Sequence, residues 1–276
     1  MVKPLLKWAG GKRHIAPALE KFLPSDWNAG TYFEPFLGGA AFFLHLAPGK
    51  AHISDVNQWL IQFYKDVQKN PQALINEIAR YTTTYDSLKE EVKKPYYLEL
   101  REEFNKTEAS LKSSALFYVL NKLCFNGLYR ENSKGFFNVP FGQKDKFPVL
   151  PELEFFEVSE GLQSATIELA DFETSSKKAQ PGDFIYFDPP YVPLTPTASF
   201  TSYSSEGFGL EAQVRLAETL RDLEARGVRA MLSNSAAPLT SEIYQGFRKA
   251  LITAPRMVSA KSSGRGYIDE LVIMNY

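Results

Sequence analysis

The run Phe184-Ile185-Tyr186-Phe187, followed at once by Asp188-Pro189-Pro190-Tyr191, restricts this chain more than any other segment. Four consecutive large apolar residues fit a strand buried on both faces. A proline has no N–H for a strand ladder, so pairing must stop at Asp188. The strand therefore delivers a carboxylate, and two residues that cannot donate backbone hydrogen bonds, to one end of a sheet. As scaffold this would be a Pro-Pro strand stop with a capping Asp; what surrounds the segment argues for more.

The texture of the chain separates into three regions. Up to about residue 55 it predicts helix ("HIAPALEKFLP"), strand ("TYFEPFLGG"), helix ("AAFFLHLA") and strand ("KAHISDVN"). Residues 56–145 are mostly helical by their 3.6-residue periodicity, in "VNQWLIQFYKDVQ", "PQALINEIARYTTTYDSLKEEV", "YYLELREEF" and "SSALFYVLNKLCF". "NGLYRENSKGFFNVPFG" closes this region, and its Ser133-Lys134-Gly135 turn predicts a hairpin. Alternation then returns: strands "ATIELADF" and "DFIYFDPP", helix "LEAQVRLAETLRDLEARG", and strands "VRAMLSNS" and "YIDELVIMNY". Such alternation predicts an α/β fold with a largely parallel sheet and flanking helices. The helical middle block reads as an insertion in it. "VPLTPTASFTSYSSEGFG", rich in Pro, Ser, Thr and Gly, is expected to be a mobile loop.

Composition removes several function classes. The single cysteine, Cys124, allows no internal disulfide and suits a reducing, cytoplasmic setting. The apolar start is interrupted by Lys7 and glycines, unlike a secretory signal, and no window approaches the ~18 apolar residues of a membrane span. His14, His45 and His52 show no metal-ligand spacing, so no metal is expected. The formal charge of −1 gives no hint of nucleic acid. Locally, residues 122–146 hold Lys122, Arg130, Lys134, Lys144 and Lys146 against Glu131 and Asp145, a modest basic patch.

Ligands of open α/β sheets bind outside the carboxyl ends of strands. Four expected strands end on chemistry there: "FEPFLGG", "ISD", "LADF" and "YFDPPY". Gly38 and Gly39 would permit close backbone approach, although neither a Gly-x-Gly-x-x-Gly nor a phosphate-loop pattern is present. Asp55 stands where an acid accepts ribose hydroxyls, and equally where it could cap a helix beginning at Val56. Asp188 and a proline carbonyl are two acceptors able to grip one NH2 group, with Tyr191 as a flat platform. By itself this set suits a planar ring or amide amine.

Taken with "KWAGGK", "EPFLGG", "ISDVN", "NGLYRENSKGFFNVPFG", "ADF", "DPPY", "LSNS" and "IDEL", the chain resembles the Dam-family, alpha-group, S-adenosylmethionine-dependent DNA N6-adenine methyltransferases. The likeness runs from "LLKWAGGK" to "YIDELVIMNY". It implies a Rossmann-like class I methyltransferase sheet with a mainly helical target-recognition insertion. The catalytic domain would comprise 1–55 and 146–276, and the DNA-binding insert 56–145. It implies S-adenosyl-L-methionine as cofactor, double-stranded DNA as partner and GATC as target in the cytoplasm, with no metal needed; a monomer is expected, since nothing in the sequence points to a self-complementary surface. An RNA or protein-amide methyltransferase, or a DNA-binding protein of this fold without catalysis, would share parts of the pattern.

By the same resemblance, Asp188, Pro189 and Tyr191 would hold a flipped adenine. Trp8, Ala9, Gly10, Lys12, Phe36, Gly38 and Gly39 would line the cofactor pocket, with Asp55 on the ribose and Asp171 and Phe172 at the cofactor's adenine. Lys7 would read a guanine, and Asn126, Leu128, Arg130 and Pro140 would contact DNA. Two departures stand out: Ala40 replaces the last glycine of the family's Phe-x-Gly-x-Gly, and Gln143-Lys144 replaces a basic-aromatic pair.

Overall fold

The computed structural model describes residues 2–148, 150–193, 208–255 and 267–276. The described helices are α1 (Ala16–Glu20), α2 (Ala41–Leu46), α3 (Gln58–Lys69), α4 (Pro71–Ser87), α5 (Glu90–Lys106), α6 (Leu111–Leu123), α7 (Glu152–Leu162), α8 (Phe172–Ser176), α9 (Leu210–Ala225) and α10 (Pro238–Ile243). The strands are β1 (Tyr32–Glu34), β2 (Ala51–Asp55), β3 (Ala165–Leu169), β4 (Phe184–Phe187), β5 (Arg229–Ser235), β6 (Arg248–Pro255) and β7 (Tyr267–Met274). They form a seven-stranded sheet in the order β3-β2-β1-β4-β5-β7-β6. β1 pairs in parallel with β2 and β4, and β4 with β5. β7 is antiparallel to β5 and to β6. This is a mixed α/β fold of the class I methyltransferase kind.

The elements expected from periodicity are present, with differences at their edges. The long helical stretch after Pro71 breaks at Leu88-Lys89, where extended backbone (Leu88 ψ 145°) separates α4 from α5. Helices α7, α8 and α10 and strand β6 had no expectation attached. The hairpin is pinned by antiparallel bridges Cys124–Phe141 and Glu131–Phe137. The loop expected at 192–209 falls largely on residues 194–207, outside the described residues.

The chain divides into two compact units: Met1–Gly11, Gly38–Ala47 and Asp55–Leu169 form the first, and Lys12–Leu37, Pro48–Ser54 and Ala170–Tyr276 the second. The first unit is centred on aromatic side chains of its helices. Phe63 packs on Phe117, Tyr118 and Phe155, and Phe104 on Trp59 and Phe117. Ser110 opens α6 with a capping box to Ser113, so the helix that carries Asn121 into the hairpin has a fixed start.

In the second unit, Leu216, Ala217, Leu220 and Leu223 form the apolar stripe of α9. They join Ile185 and Phe187 of β4, Ala230 and Leu232 of β5, and Leu271 and Ile273 of β7 in one core. The period of two along each strand gives that sheet face. All four residues of β4 are buried, as a strand covered on both faces requires.

Candidate active site

The turn after β4 collects charge in the second unit. Asp188 Oδ1 lies 2.9 Å from Lys12 Nζ, and that ammonium sits 4.5 Å from the centroid of the Tyr191 ring. Lys12 is 5% exposed. Burial pushes the Asp188 carboxyl up to about 6, against the lowering effect of Lys12; Glu270 adds to the rise. The Tyr191 hydroxyl donates to Glu270 Oε2 at 2.6 Å, and burial raises its pKa well above the ordinary phenol value. The site thus has an anionic acceptor at the strand end, a ring held at its hydroxyl, and a cation against both.

Behind this turn lies a buried amide network. Gln213 Nε2 donates to the Pro190 carbonyl at 2.7 Å, and Asn234 Oδ1 accepts from Val192 N–H at 3.0 Å. Sequence reasoning assigned no role to Gln213, Asn234 or Glu270. The acid pair Asp269-Glu270 of "IDEL", ahead of the apolar run Leu271–Met274, was the available signal for Glu270.

Also in the second unit, Phe36 stacks on Phe172 with centroids 5.6 Å apart and planes at 21°. Phe208, a further residue with no role assigned from sequence, meets Phe36 edge-on at 5.4 Å. Asp171 caps α8 by accepting from Thr174 N–H at 2.7 Å, and this bond holds its carboxyl below the usual range. Glu34, at the end of β1, is 2% exposed and accepts a 2.5 Å hydrogen bond from Tyr32.

The first unit holds the remaining candidates. Trp8 stacks on Tyr129 at 5.6 Å and 20°, and its indole lies against the glycine turn. A Cβ on Gly38, whose φ is +49°, would come within 2.8 Å of Trp8 Cδ1. The group that requires glycine here is therefore an indole of this chain. Ala9 and Gly10 follow in an exposed turn closed by Gly11 N–H to the Trp8 carbonyl at 3.3 Å. Asp55 accepts from Gly38 N–H at 3.0 Å and Asn57 N–H at 2.9 Å. Burial raises its carboxyl and the N–H groups of Gly38, Asn57 and Val56 oppose the rise. Asn57, not Asp55, caps α3, accepting from Trp59 and Leu60 N–H at 3.0 Å each. Asp55 is thereby released from the capping alternative.

The recognition candidates are grouped by one side chain. Asn121, 4% exposed, accepts from Lys7 N–H at 3.0 Å, donates to the Lys7 carbonyl at 2.8 Å and to the Gly127 carbonyl at 3.2 Å. Lys7 is exposed, as are Asn126, with a φ of +57°, and Leu128. Arg130 Nε donates to Asn138 Oδ1 at 2.7 Å, which holds the guanidinium across the hairpin. The Pro140 carbonyl accepts from Phe125 N–H at 2.9 Å. Among the described residues no cluster of three His, Cys, Asp or Glu could hold a metal ion, and no helix is long and apolar enough to cross a membrane.

Comparison with known proteins shows the family. A family model described as D12 class N6 adenine-specific DNA methyltransferase matches residues 8–258. The chain is 43% identical over 283 residues to the Type II methyltransferase M1.LlaDCHI of Lactococcus lactis subsp. cremoris, covering 100% of this chain and 96% of that protein. It is 41% identical over 287 residues to the Type II methyltransferase M.MjaIII of Methanocaldococcus jannaschii, covering 100% and 99%. It is also 34% identical over 272 residues to the DNA adenine methylase of Escherichia coli K12, covering 99% and 95%.

Proposed function

Because the chain belongs to the D12 class of N6 adenine-specific DNA methyltransferases, we propose that it transfers methyl from S-adenosyl-L-methionine to adenine N6 within GATC in duplex DNA. The observation that carries this reading is the half-buried Asp188 at the end of β4, beside a proline-framed turn and a Tyr191 ring held at its hydroxyl. An adenine amine cannot reach a methyl donor inside the stack, so the base leaves the duplex. Asp188 and the Pro189 carbonyl accept the two N6 hydrogens and turn the nitrogen lone pair away from the ring. As N6 gains the methyl group it becomes cationic, and the adjacent carboxylate stabilises that charge and is placed to take the surplus proton. Tyr191 carries the ring.

The donor set fits the cofactor. When bound, the cofactor supplies a sulfonium-borne methyl group. Asp55 has lone pairs beyond its N–H partners for ribose hydroxyls. Trp8 to Gly10, Gly38 and Gly39 supply a tight backbone turn, Phe36 and Phe172 an apolar stacked pair suited to a purine, and Asp171 an acceptor at a helix start. Lys12 keeps Asp188 ionised against burial. Lys7, Asn126, Leu128, Arg130 and Pro140 form the DNA-reading set, with Arg130 suited to a guanine edge. The enzyme acts as a monomer on cytoplasmic DNA, with 56–145 as its recognition insert.

Plasmid DNA from an adenine-methylation-deficient host expressing the chain should carry N6-methyladenine in GATC. Modification of another sequence would remove the GATC assignment alone. Asp188→Ala should abolish transfer of labelled methyl to DNA while the chain still binds cofactor; transfer near the wild-type rate would remove the catalytic assignment.

A further inference from the structure

Tyr191 is held at three points. Its hydroxyl is bonded to Glu270. The peptide group before it is held through the Pro190 carbonyl by Gln213 Nε2, and the one after it through Val192 N–H by Asn234 Oδ1. These two amides are joined to each other, Asn234 Nδ2 donating to Gln213 Oε1 at 3.1 Å. Tyr244 donates to the same Gln213 oxygen at 2.8 Å, and Ser235 Oγ donates to the Val192 carbonyl at 2.5 Å. Gln213 is 3% exposed and Asn234 and Tyr244 are fully buried.

The network has a direction. Reversing the Gln213 amide would set its oxygen against the Pro190 carbonyl and its NH2 against the Asn234 NH2, so one orientation is fixed. Filling the same volume would need only apolar side chains, which need no hydrogen-bond partners. Instead, bonds from two elements, α9 and β5, converge on the peptide groups that flank Tyr191, and β7 holds the hydroxyl through Glu270. Movement there would change the distance between the ring and the Asp188–Pro189 acceptors.

We propose that Gln213, paired with Asn234, is a positioning residue for methyl transfer, fixing both peptide groups around Tyr191 and with them the spacing of platform and acceptors. The proposal rests on the reading of this turn as the target-base site. Gln213 does not touch the substrate; it acts through the Pro190 carbonyl.

Single-turnover transfer at saturating DNA and S-adenosylmethionine tests it with the wild type, Gln213→Met and Gln213→Glu. The methionine keeps the volume and removes the amide. Its transfer rate should fall ~10²-fold, the scale of a small misplacement of reacting groups. Equilibrium binding of DNA and cofactor should stay within roughly threefold, as for a group acting in the transition state. Gln213→Glu should work when its carboxyl is protonated, donating to Pro190 and accepting from Asn234, and fail once ionised. Relative to the wild type, whose rate rises through about 6 as Asp188 ionises, its rate should therefore fall as pH rises. Tyr244, the titratable group bonded to Gln213, is raised far above its ordinary value by burial and stays protonated there.

Wild-type rate and pH profile in both variants would overturn the proposal. So would loss of cooperative thermal unfolding in both, or binding lost in step with rate, either of which would make Gln213 a residue of the fold alone. A wild type that transferred no methyl to DNA would instead overturn the functional reading and this proposal with it.

Discussion

Asp183 and Asp188 stand at opposite ends of one strand and behave in opposite ways. Asp183 accepts from Thr31 N–H at 2.7 Å and from Gln180 N–H at 2.8 Å, tying the entries of β1 and β4 together. Asp188 instead faces a lysine and has a carboxyl raised to about 6 by burial. Below that pH the acceptor is protonated, so kcat/KM should fall as pH drops through about 6. A flat profile across that range would count against Asp188 as acceptor. The stability effect has the other sign. The folded state holds this proton more tightly than the unfolded chain, so the contribution of Asp188 to stability declines between about pH 4 and 6 and then levels. At position 40 the conformation is the issue. Ala40 has φ +56° and ψ 24°, a left-handed geometry that glycine adopts freely. Ala40→Gly should raise stability by about 1 kcal/mol, seen as a shift in the urea midpoint at unchanged slope.

At the scale of elements, the Asn121 amide bonds the backbone of Lys7 to that of Gly127. Gly127 has φ +65°, and a Cβ there would lie 2.5 Å from the Lys7 Cβ. Asn121→Ala removes three hydrogen bonds at a buried position and should lower stability by about 2–3 kcal/mol in denaturant unfolding. A change under about 0.5 kcal/mol would mean that the bonds are replaced by water. These same elements show what the sequence could and could not convey. β4, α9 and β7 carry periods and stops strong enough to be read locally, and "DPPY" announces its own chemistry. The positioning side chains carry no such mark. Gln213 is one more polar residue in a helix until α9 packs on β4 and β5, and Asn234 is one more in a strand. Likewise Gly38 is legible as a turn, while the indole that makes it obligatory lies in a distant segment. The α4–α5 break carries no local mark, because Ser87 to Glu90 contains neither glycine nor proline.

For the whole molecule, electrostatics toward DNA are local. The net charge is −1, and Lys122 leaves the basic patch: its ammonium bonds the Leu5 carbonyl, and burial lowers it to about 8. Arg130, Lys134, Lys144 and Lys146 remain exposed or half-buried, with Lys7 nearby in the Asn121 network. DNA affinity should therefore fall with salt at a log–log slope of about −3 to −5, near 0.9 per phosphate neutralised. A slope near −8 in a salt titration would require phosphate contacts outside this set. The direction of β7 has a different kind of consequence. Because it is antiparallel to β5, it sets Glu270 opposite Ser235, at the sheet edge where Tyr191 waits. Tyr191 and its carboxylate partner are 79 residues apart in the chain. At ~5–20 residues per second of synthesis, about 4–16 s separate their emergence. A growing chain thus displays its aspartate, prolines and tyrosine well before β7 exists, and the Tyr191 hydroxyl gains its carboxylate partner only when that strand pairs.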